Sequence, residues 1–219
     1  MFKFTLRFGT LATALGLLIA TAAGADDKKA DDKKDEKNDV KIELKVGDTA
    51  PTFQLPDDSA KSWSSSDHFK KKWVVIYFYP GDFTPGCTAQ AKAFNASMQK
   101  LTAKGVEVVG ISGDSVQTHE LFKKVHKLEF TLLADPEGNV AKQFGVPFGK
   151  GATVKARDAM NKPLLVDGKQ HEFMRQGTAS LWAFVIGQDG TIGYLNSKVN
   201  PVEDAKKISE FIEKSNEKK

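Results

Sequence analysis

The sequence predicts an α/β layered domain, and three observations carry that prediction. Trp73-Val-Val-Ile-Tyr-Phe-Tyr79 is an unbroken apolar and aromatic run, which suits a central strand buried on both faces. Pro80-Gly81 and Pro85-Gly86 then break the chain, after which Ala91, Phe94, Met98 and Leu101 recur at helical spacing up to Gly105. A second apolar run, Val106 to Ser112, follows at once, so strand, helix and strand alternate.

Taken in order, the chain opens on a targeting segment, residues 1–25. Lys3 and Arg7 form a positive n-region, Leu11 to Ala23 is apolar but short for a membrane span, and Ala23-Gly-Ala25 offers a small-residue cleavage site. Cleavage after Ala25 is expected, with Ala22 as second choice. The mature chain is then periplasmic or secreted, without stable membrane insertion. Residues 26–41 are dominated by Asp, Glu and Lys. They bury too little to offset their ordering entropy and read as a charged, disordered linker.

The folded domain is expected over 42–219. Phe53 and Leu55 lie on a short entry strand, Asp58-Ser-Ala-Lys61 is a hairpin tip, Trp63 is an apolar anchor, and Ser66 to Phe69 open a short turn. After the strand at Val106–Ser112, Ser115 is placed to cap a helix whose apolar stripe is Leu121, Val125 and Leu128. Thr131 to Ala134 is a third strand, followed by a short helix over Val140 to Phe144. Residues 147–180 are irregular and read as an insertion, with a turn at Asp167-Gly168 and a hairpin around Leu164 to Phe173. Leu181 to Ile186 and Thr191 to Leu195 form a hairpin across Gln188-Asp-Gly190. The last helix has Asn200 as N-cap, Pro201 at its first position, Glu203 to close a capping box, and Ala205, Ile208 and Ile212 as its buried stripe.

Composition narrows the function. The 219 residues carry a net charge of +4, and loss of Lys3 and Arg7 lowers it to +2. So small an imbalance argues for solubility, not for a nucleic-acid partner. The single cysteine, Cys87, excludes an internal disulfide and a CxxC redox pair. It falls in the first turn of the helix that follows the buried strand. Unpaired amides and the positive end of the helix dipole favour a thiolate there, and the thiolate is the nucleophile. Thr84, three residues earlier, can turn its hydroxyl to the sulfur or to a bound oxygen, and Pro80 can cover the site without a competing N–H. This predicts an activated, exposed, unpaired cysteine. The competing reading is a buried cysteine acting as a small hydrophobe.

Pro80-x-x-x-Thr84-x-x-Cys87 resembles the active-site motif of the peroxiredoxins. The longer run from Tyr77 to Thr88 is most similar to their Q-type, bacterioferritin-comigratory branch. The resemblance covers roughly Val46 to the C-terminus. It implies a thioredoxin-like fold with a central mixed sheet flanked by helices. Cys87 is then the peroxidatic cysteine, and Thr84 and Pro80 shape its pocket. The implied activity is thiol-dependent reduction of hydrogen peroxide or organic hydroperoxides, with no metal and no organic cofactor. The implied partners are the hydroperoxide substrate and an external thiol reductant such as a thioredoxin-like protein. A homodimer is left open.

Two departures stand out. The resolving cysteine that Q-type proteins often carry five residues after the peroxidatic one is replaced by Lys92, so the enzyme is expected to be of the one-cysteine kind. The arginine that the family places at the start of the strand before the Gln188-Gly190 turn is replaced by Leu181, and Gln90 stands where many relatives hold that arginine with a glutamate. Beyond the leader the only arginines are Arg157 and Arg175. Arg175 either swings in from the insertion or is an ordinary surface charge, the second being the simpler expectation. His119 and His126, seven apart, share a helix face that reads as solvated. His68 and His171 are isolated, and a Cys87–His171 protease pair lacks a supporting motif. The alternative to a peroxidase is a degenerate peroxiredoxin-like protein that binds a partner or senses oxidant.

Overall fold

The computed structural model describes residues 43–217, so the expected leader and linker lie outside the described residues. The entry segment forms a hairpin of β1 (Gln54–Pro56) and β2 (Ser62–Ser64), with Leu55 opposite Trp63 and the expected tip at Asp58 to Lys61. One 3-10 turn, Ser65–Asp67, leads to β3 (Trp73–Phe78), every residue of which is buried. The remaining elements are α1 (Pro85–Ala103), β4 (Val106–Ser112), α2 (Val116–His126), β5 (Thr131–Ala134), α3 (Asn139–Gln143), β6 (Phe148–Lys150), β7 (Thr153–Lys155), β8 (Glu172–Met174), β9 (Gly177–Ala179), β10 (Trp182–Ile186), β11 (Ile192–Asn196) and α4 (Asp204–Asn216).

Five strands form one mixed sheet in the order β11-β10-β3-β4-β5. β3, β4 and β5 run parallel, while β10 is antiparallel to both β3 and β11. The central strand divides its side chains by the two-residue period of a pleated strand. Trp73, Val75 and Tyr77 enter the core that Phe94 and Leu101 of α1, Phe122 of α2 and Ile208 and Ile212 of α4 complete. Val74, Ile76 and Phe78 enter a second core with Phe53, Trp63 and the α3 residues Val140 and Ala141. Every strand and helix expected for the sheet is present, in the thioredoxin-like arrangement that the resemblance implies.

Three local expectations are corrected. The final helix starts at Asp204, because Pro201 to Glu203 form a turn; Asn200 Oδ1 accepts from the Val202 N–H at 3.2 Å, and Glu203 pairs with Lys207 at 2.9 Å instead of closing a capping box. In α2 the buried face is wider than expected: Leu121 and Val125 pack half-buried on the core and Leu128, just past the helix, is buried, but His119 and Phe122 are fully buried beside them. Residues 147–180 are a long antiparallel ribbon: β6 pairs with β9, and β7 pairs with β8. The expected hairpin around Leu164 to Phe173 is reduced to a single bridge, Val166 with Lys169, across Asp167 and Gly168, both with positive φ (51° and 78°).

Candidate active site

The site begins where β3 ends. Gly81, Asp82 and Phe83 turn the chain, and Thr84 leads into α1 with extended backbone (φ −96°, ψ 149°). Pro85 sits in the first helical turn, where a missing N–H costs nothing. This places Cys87 in that first turn, as expected. The loop holds one strained residue, since Phe83 adopts φ +56°, a conformation rare for an aromatic side chain. Packing holds it there. Phe173 of β8 stacks on its ring at 4.7 Å, Phe122 meets it edge-on at 5.0 Å, and the Arg157 N–H donates to its carbonyl at 3.0 Å.

Cys87 is free but only 4% exposed, so the expectation of an exposed cysteine is corrected. Burial pushes its thiol pKa up and sets the net direction. Hydrogen bonding from the Thr84 side chain and the Gly81 backbone opposes that rise, Asp82 adds to it, and Arg175 lowers it. The Thr84 hydroxyl lies beside the sulfur and donates to the Gly81 carbonyl at 2.9 Å. Pro80 is half-buried at the outer wall. A cavity of about 680 Å³ opens beside it, lined also by Phe148, Lys150 and Leu181.

The ribbon supplies a guanidinium that the sheet does not. Arg175 is buried at 4% exposure, so the reading of it as a surface charge is overturned. Its Nε donates to Asp114 Oδ1 at 3.2 Å, one terminal nitrogen to the Pro80 carbonyl at 3.1 Å, and the other to the Asp82 carbonyl at 3.0 Å. Two of its five N–H donors remain beyond these three bonds. Gly81 makes the approach feasible: a Cβ there would lie 2.2 Å from Arg175 Cζ. Leu181 is half-buried and packs against the core containing Cys87. Because Arg175 already occupies the loop, Leu181→Arg is expected to leave the peroxide rate of Cys87 within about threefold of wild type; a tenfold acceleration, measured by stopped-flow fluorescence, would show that the guanidinium was missing.

Gln90 does not hold Arg175. It is buried and donates from Nε2 to Asp204 Oδ2 at 2.9 Å, joining α1 to α4, and Asp114 takes the arginine instead. Burial pushes the Asp204 carboxyl up to about 6, against hydrogen bonds from Gln90 and Asn196. Its folded pKa exceeds its unfolded value, so its contribution to stability is present below pH ~4 and is lost as the pH rises through about 6. Asp204→Asn is therefore expected to stabilise the fold at pH 7.5 by on the order of 2 kcal/mol, and the gain to vanish near pH 4, read by urea unfolding at both values. An amide there could also donate to Gln90 Oε1, which has no partner.

The histidines depart from their sequence readings. His119 is wholly buried against Asp82, 2.7 Å away, so the solvated-face reading fails. Phe122, on the same face, is the available signal that this face is core. His126 is half-buried, and burial, with Lys92, pulls its pKa down to about 4. His68 stacks on Trp63 at 4.3 Å and bonds Glu107 at 2.7 Å, so it is not isolated. His171 Nε2 lies 3.3 Å from the Val166 carbonyl within the ribbon, and no described contact joins it to Cys87. Among the described residues no group of three or more His, Cys, Asp or Glu side chains could hold a metal ion.

A buried strand, a helix-start cysteine and a guanidinium laid over the intervening loop define a cysteine-centred protein of thioredoxin-like fold. Residues 46–195 match the AhpC/TSA family model, and the chain belongs to that family, the peroxiredoxins. It is 48% identical over 116 residues to the chloroplastic peroxiredoxin Q of Sedum lineare, an alignment covering 53% of this chain and 62% of that protein. It is 45% identical over 109 residues to a putative peroxiredoxin bcp of Coxiella burnetii, covering 50% of this chain and 72% of that one. Among solved structures, peroxidoxin BcpB of Mycobacterium tuberculosis superposes with a TM-score of 0.62 at 29% identity, over 78% of this chain and 98% of that one. A cysteine-to-serine mutant of PrxQ from Xylella fastidiosa superposes with a TM-score of 0.63 at 22% identity, over 80% and 99%, which bears on the fold alone. The chain spans between about half and three-fifths of the length of the chloroplastic relatives, 62% and 52% for the first two.

Proposed function

We propose that the protein is a one-cysteine thiol peroxidase that reduces hydrogen peroxide or organic hydroperoxides at Cys87. The observation that carries this reading is the loop itself. The Thr84 hydroxyl and the Gly81 backbone lie beside the Cys87 sulfur, and Arg175 is bonded to the Pro80 and Asp82 carbonyls of the same loop. The Cys87 thiolate attacks the outer peroxide oxygen. An S–O bond forms and the O–O bond breaks. The sulfur loses two electrons, and the departing oxygen takes a proton and leaves as water or an alcohol. Arg175, the amides of the helix start and the Thr84 hydroxyl, once turned from the Gly81 carbonyl, stabilise the charge that moves onto that oxygen. An external thiol then condenses with the sulfenic acid, releasing water, and a second thiol frees Cys87 as a disulfide departs. A thioredoxin-like reductant fits this step, because Lys92 stands where a resolving cysteine would be. The apolar cavity beside Pro80 has room for an organic hydroperoxide's tail.

The burial of Cys87 favours a second reading, a member of the family that binds or senses without efficient turnover. One measurement separates the two: the rate of hydrogen peroxide with reduced protein, followed by Trp fluorescence and sulfenic-acid trapping, with Cys87→Ser as control. A fast, Cys87-dependent rate supports the peroxidase. A rate no better than that of a free thiol sinks it. The expected leader over 1–25, with its basic start, apolar stretch and Ala23-Gly-Ala25, supports a periplasmic or secreted location, to be checked by N-terminal sequencing of the exported chain. A homodimer is compatible with this reading and is tested by sedimentation.

A further inference from the structure

Beneath the Cys87 loop lies a buried charge cluster that the peroxide chemistry itself does not use. Asp82 is its hub. Its side chain accepts from the Tyr79 hydroxyl at 2.8 Å and meets His119 Nδ1 at 2.7 Å, with the Asp82 and His119 side chains both 0% exposed. Its backbone N–H donates to Asp114 Oδ2 at 2.8 Å, and its carbonyl accepts from Arg175 at 3.0 Å. His119 stands in the first turn of α2, fixed by the Ser115 cap, whose Oγ accepts from the Thr118 N–H at 3.2 Å. The guanidinium of Arg175 thus pairs with the Asp114 carboxylate, while Asp82 offers it only a backbone carbonyl and turns its carboxylate to Tyr79 and His119. The described bonds give the Asp82 carboxylate His119 as its cationic partner, in a site closed to water and close to a cysteine that must itself become an anion.

We propose that His119 is a positioning residue for the peroxidatic cysteine: bonded to Asp82 as an imidazolium, it offsets the Asp82 carboxylate in the Gly81–Thr84 loop, and so lets Cys87 ionise. The proposal rests on the peroxidase reading for its effect on rate, but not for its effect on the thiol. The groups that reach the ring are Asp82 and Tyr79 from the end of β3, Asp114 from the turn between β4 and α2, and the Leu133 backbone of β5, with Arg175 of the ribbon behind them. Burial pulls the ring towards its neutral form, but Asp82, by charge and hydrogen bond, and then Asp114 and Leu133, outweigh it and raise its pKa. His119 Nε2 has no hydrogen-bond partner of normal geometry, so the ring is held from its Asp82 side. Asp82 raises the Cys87 pKa and Arg175 lowers it; a positive charge on His119, held 2.7 Å from the Asp82 carboxylate, would act through Asp82 and not on the sulfur directly.

The test compares wild type with His119→Asn, which retains a neutral donor near Nδ1, and with the Asp82→Asn/His119→Asn pair, which removes both charges. The readouts are the pH dependence of Cys87 alkylation by iodoacetamide and the hydrogen peroxide rate. In His119→Asn the alkylation profile is expected to move up by about one pH unit, and the peroxide rate at pH 7 to fall about tenfold and recover at high pH. The double variant is expected to bring the profile back towards wild type. An unmoved alkylation profile, or a rate lost equally at every pH, overturns the proposal and makes His119 a packing residue. Should the variants not fold, ring nitrogen chemical shifts of wild-type His119 decide: both nitrogens protonated at pH 7 supports the proposal, and a neutral ring overturns it. Failure of the wild-type protein to react with peroxide would sink the peroxidase reading while leaving the alkylation result to stand or fall alone.

Discussion

Arg175→Ala is expected to slow the reaction of Cys87 with hydrogen peroxide by about a hundredfold to a thousandfold, the scale of losing one preorganised donor in a closed site. The side chain does two things at once. It fixes the loop through the Pro80 and Asp82 carbonyls, and it lowers the Cys87 pKa. Arg175→Lys is not expected to rescue the rate, because an ammonium cannot reach Asp114 and both carbonyls from one planar fork. Removing the guanidinium also leaves Asp114 as an unpaired buried carboxylate, a change that typically costs about 3–5 kcal/mol. The rate is therefore to be measured below the unfolding transition, with circular dichroism as the check on folding. An Arg175→Ala variant that is folded and reacts at the wild-type rate would remove the arginine from the mechanism.

The second large effect is expected at Gly81. Its φ is +154°, and a Cβ built there would meet Arg175 at 2.2, 2.3 and 2.6 Å. The guanidinium is pinned by three hydrogen bonds and cannot retreat without breaking them. Gly81→Ala is thus expected to lower the peroxide rate about tenfold to a hundredfold, since a displacement of about 1 Å in a positioned group costs on that order. It is also expected to raise the pH at which Cys87 alkylates, because Arg175 moves away from the sulfur. Gly86→Ala is the control. Its nearest neighbour would be Pro201 at 3.8 Å, ordinary contact distance, so the rate should hardly change. Equal losses in both variants would mean that the loop is sensitive to any added side chain and that Arg175 is not the cause.

The five-stranded sheet is legible in the sequence because its strands are local and strongly patterned. Trp73 to Phe78 and Val106 to Ser112 are nearly continuous apolar runs, and Gln188-Asp-Gly190 is a short turn between two more. Cys87, Thr84 and Pro80 are legible because eight consecutive residues hold them. The ribbon is not, because each of its four strands is three residues long and its outer pair joins residues nearly thirty apart. No alternation survives in segments that short. Arg175 is hidden for the same reason: its route to the loop depends on Gly81, Phe83 and Asp114, none adjacent to it in sequence. The burial of Cys87 escapes the sequence because a helix start favours a thiolate electrostatically but says nothing about what packs over it.

Where Arg175 sits also bears on how the molecule comes apart. The ribbon's ladders pair only with each other, β6 with β9 and β7 with β8, and the five-stranded sheet closes without them. Opening the ribbon withdraws the arginine and the Phe173 ring while every strand of the sheet keeps its partners. Loss of reactivity and loss of structure are then separate cooperative events, with the first at the lower denaturant concentration. A titration in urea should show peroxide reactivity fading before the far-ultraviolet signal of the sheet and helices. Amide exchange at Thr153–Lys155 and Glu172–Met174 should report that earlier opening free energy.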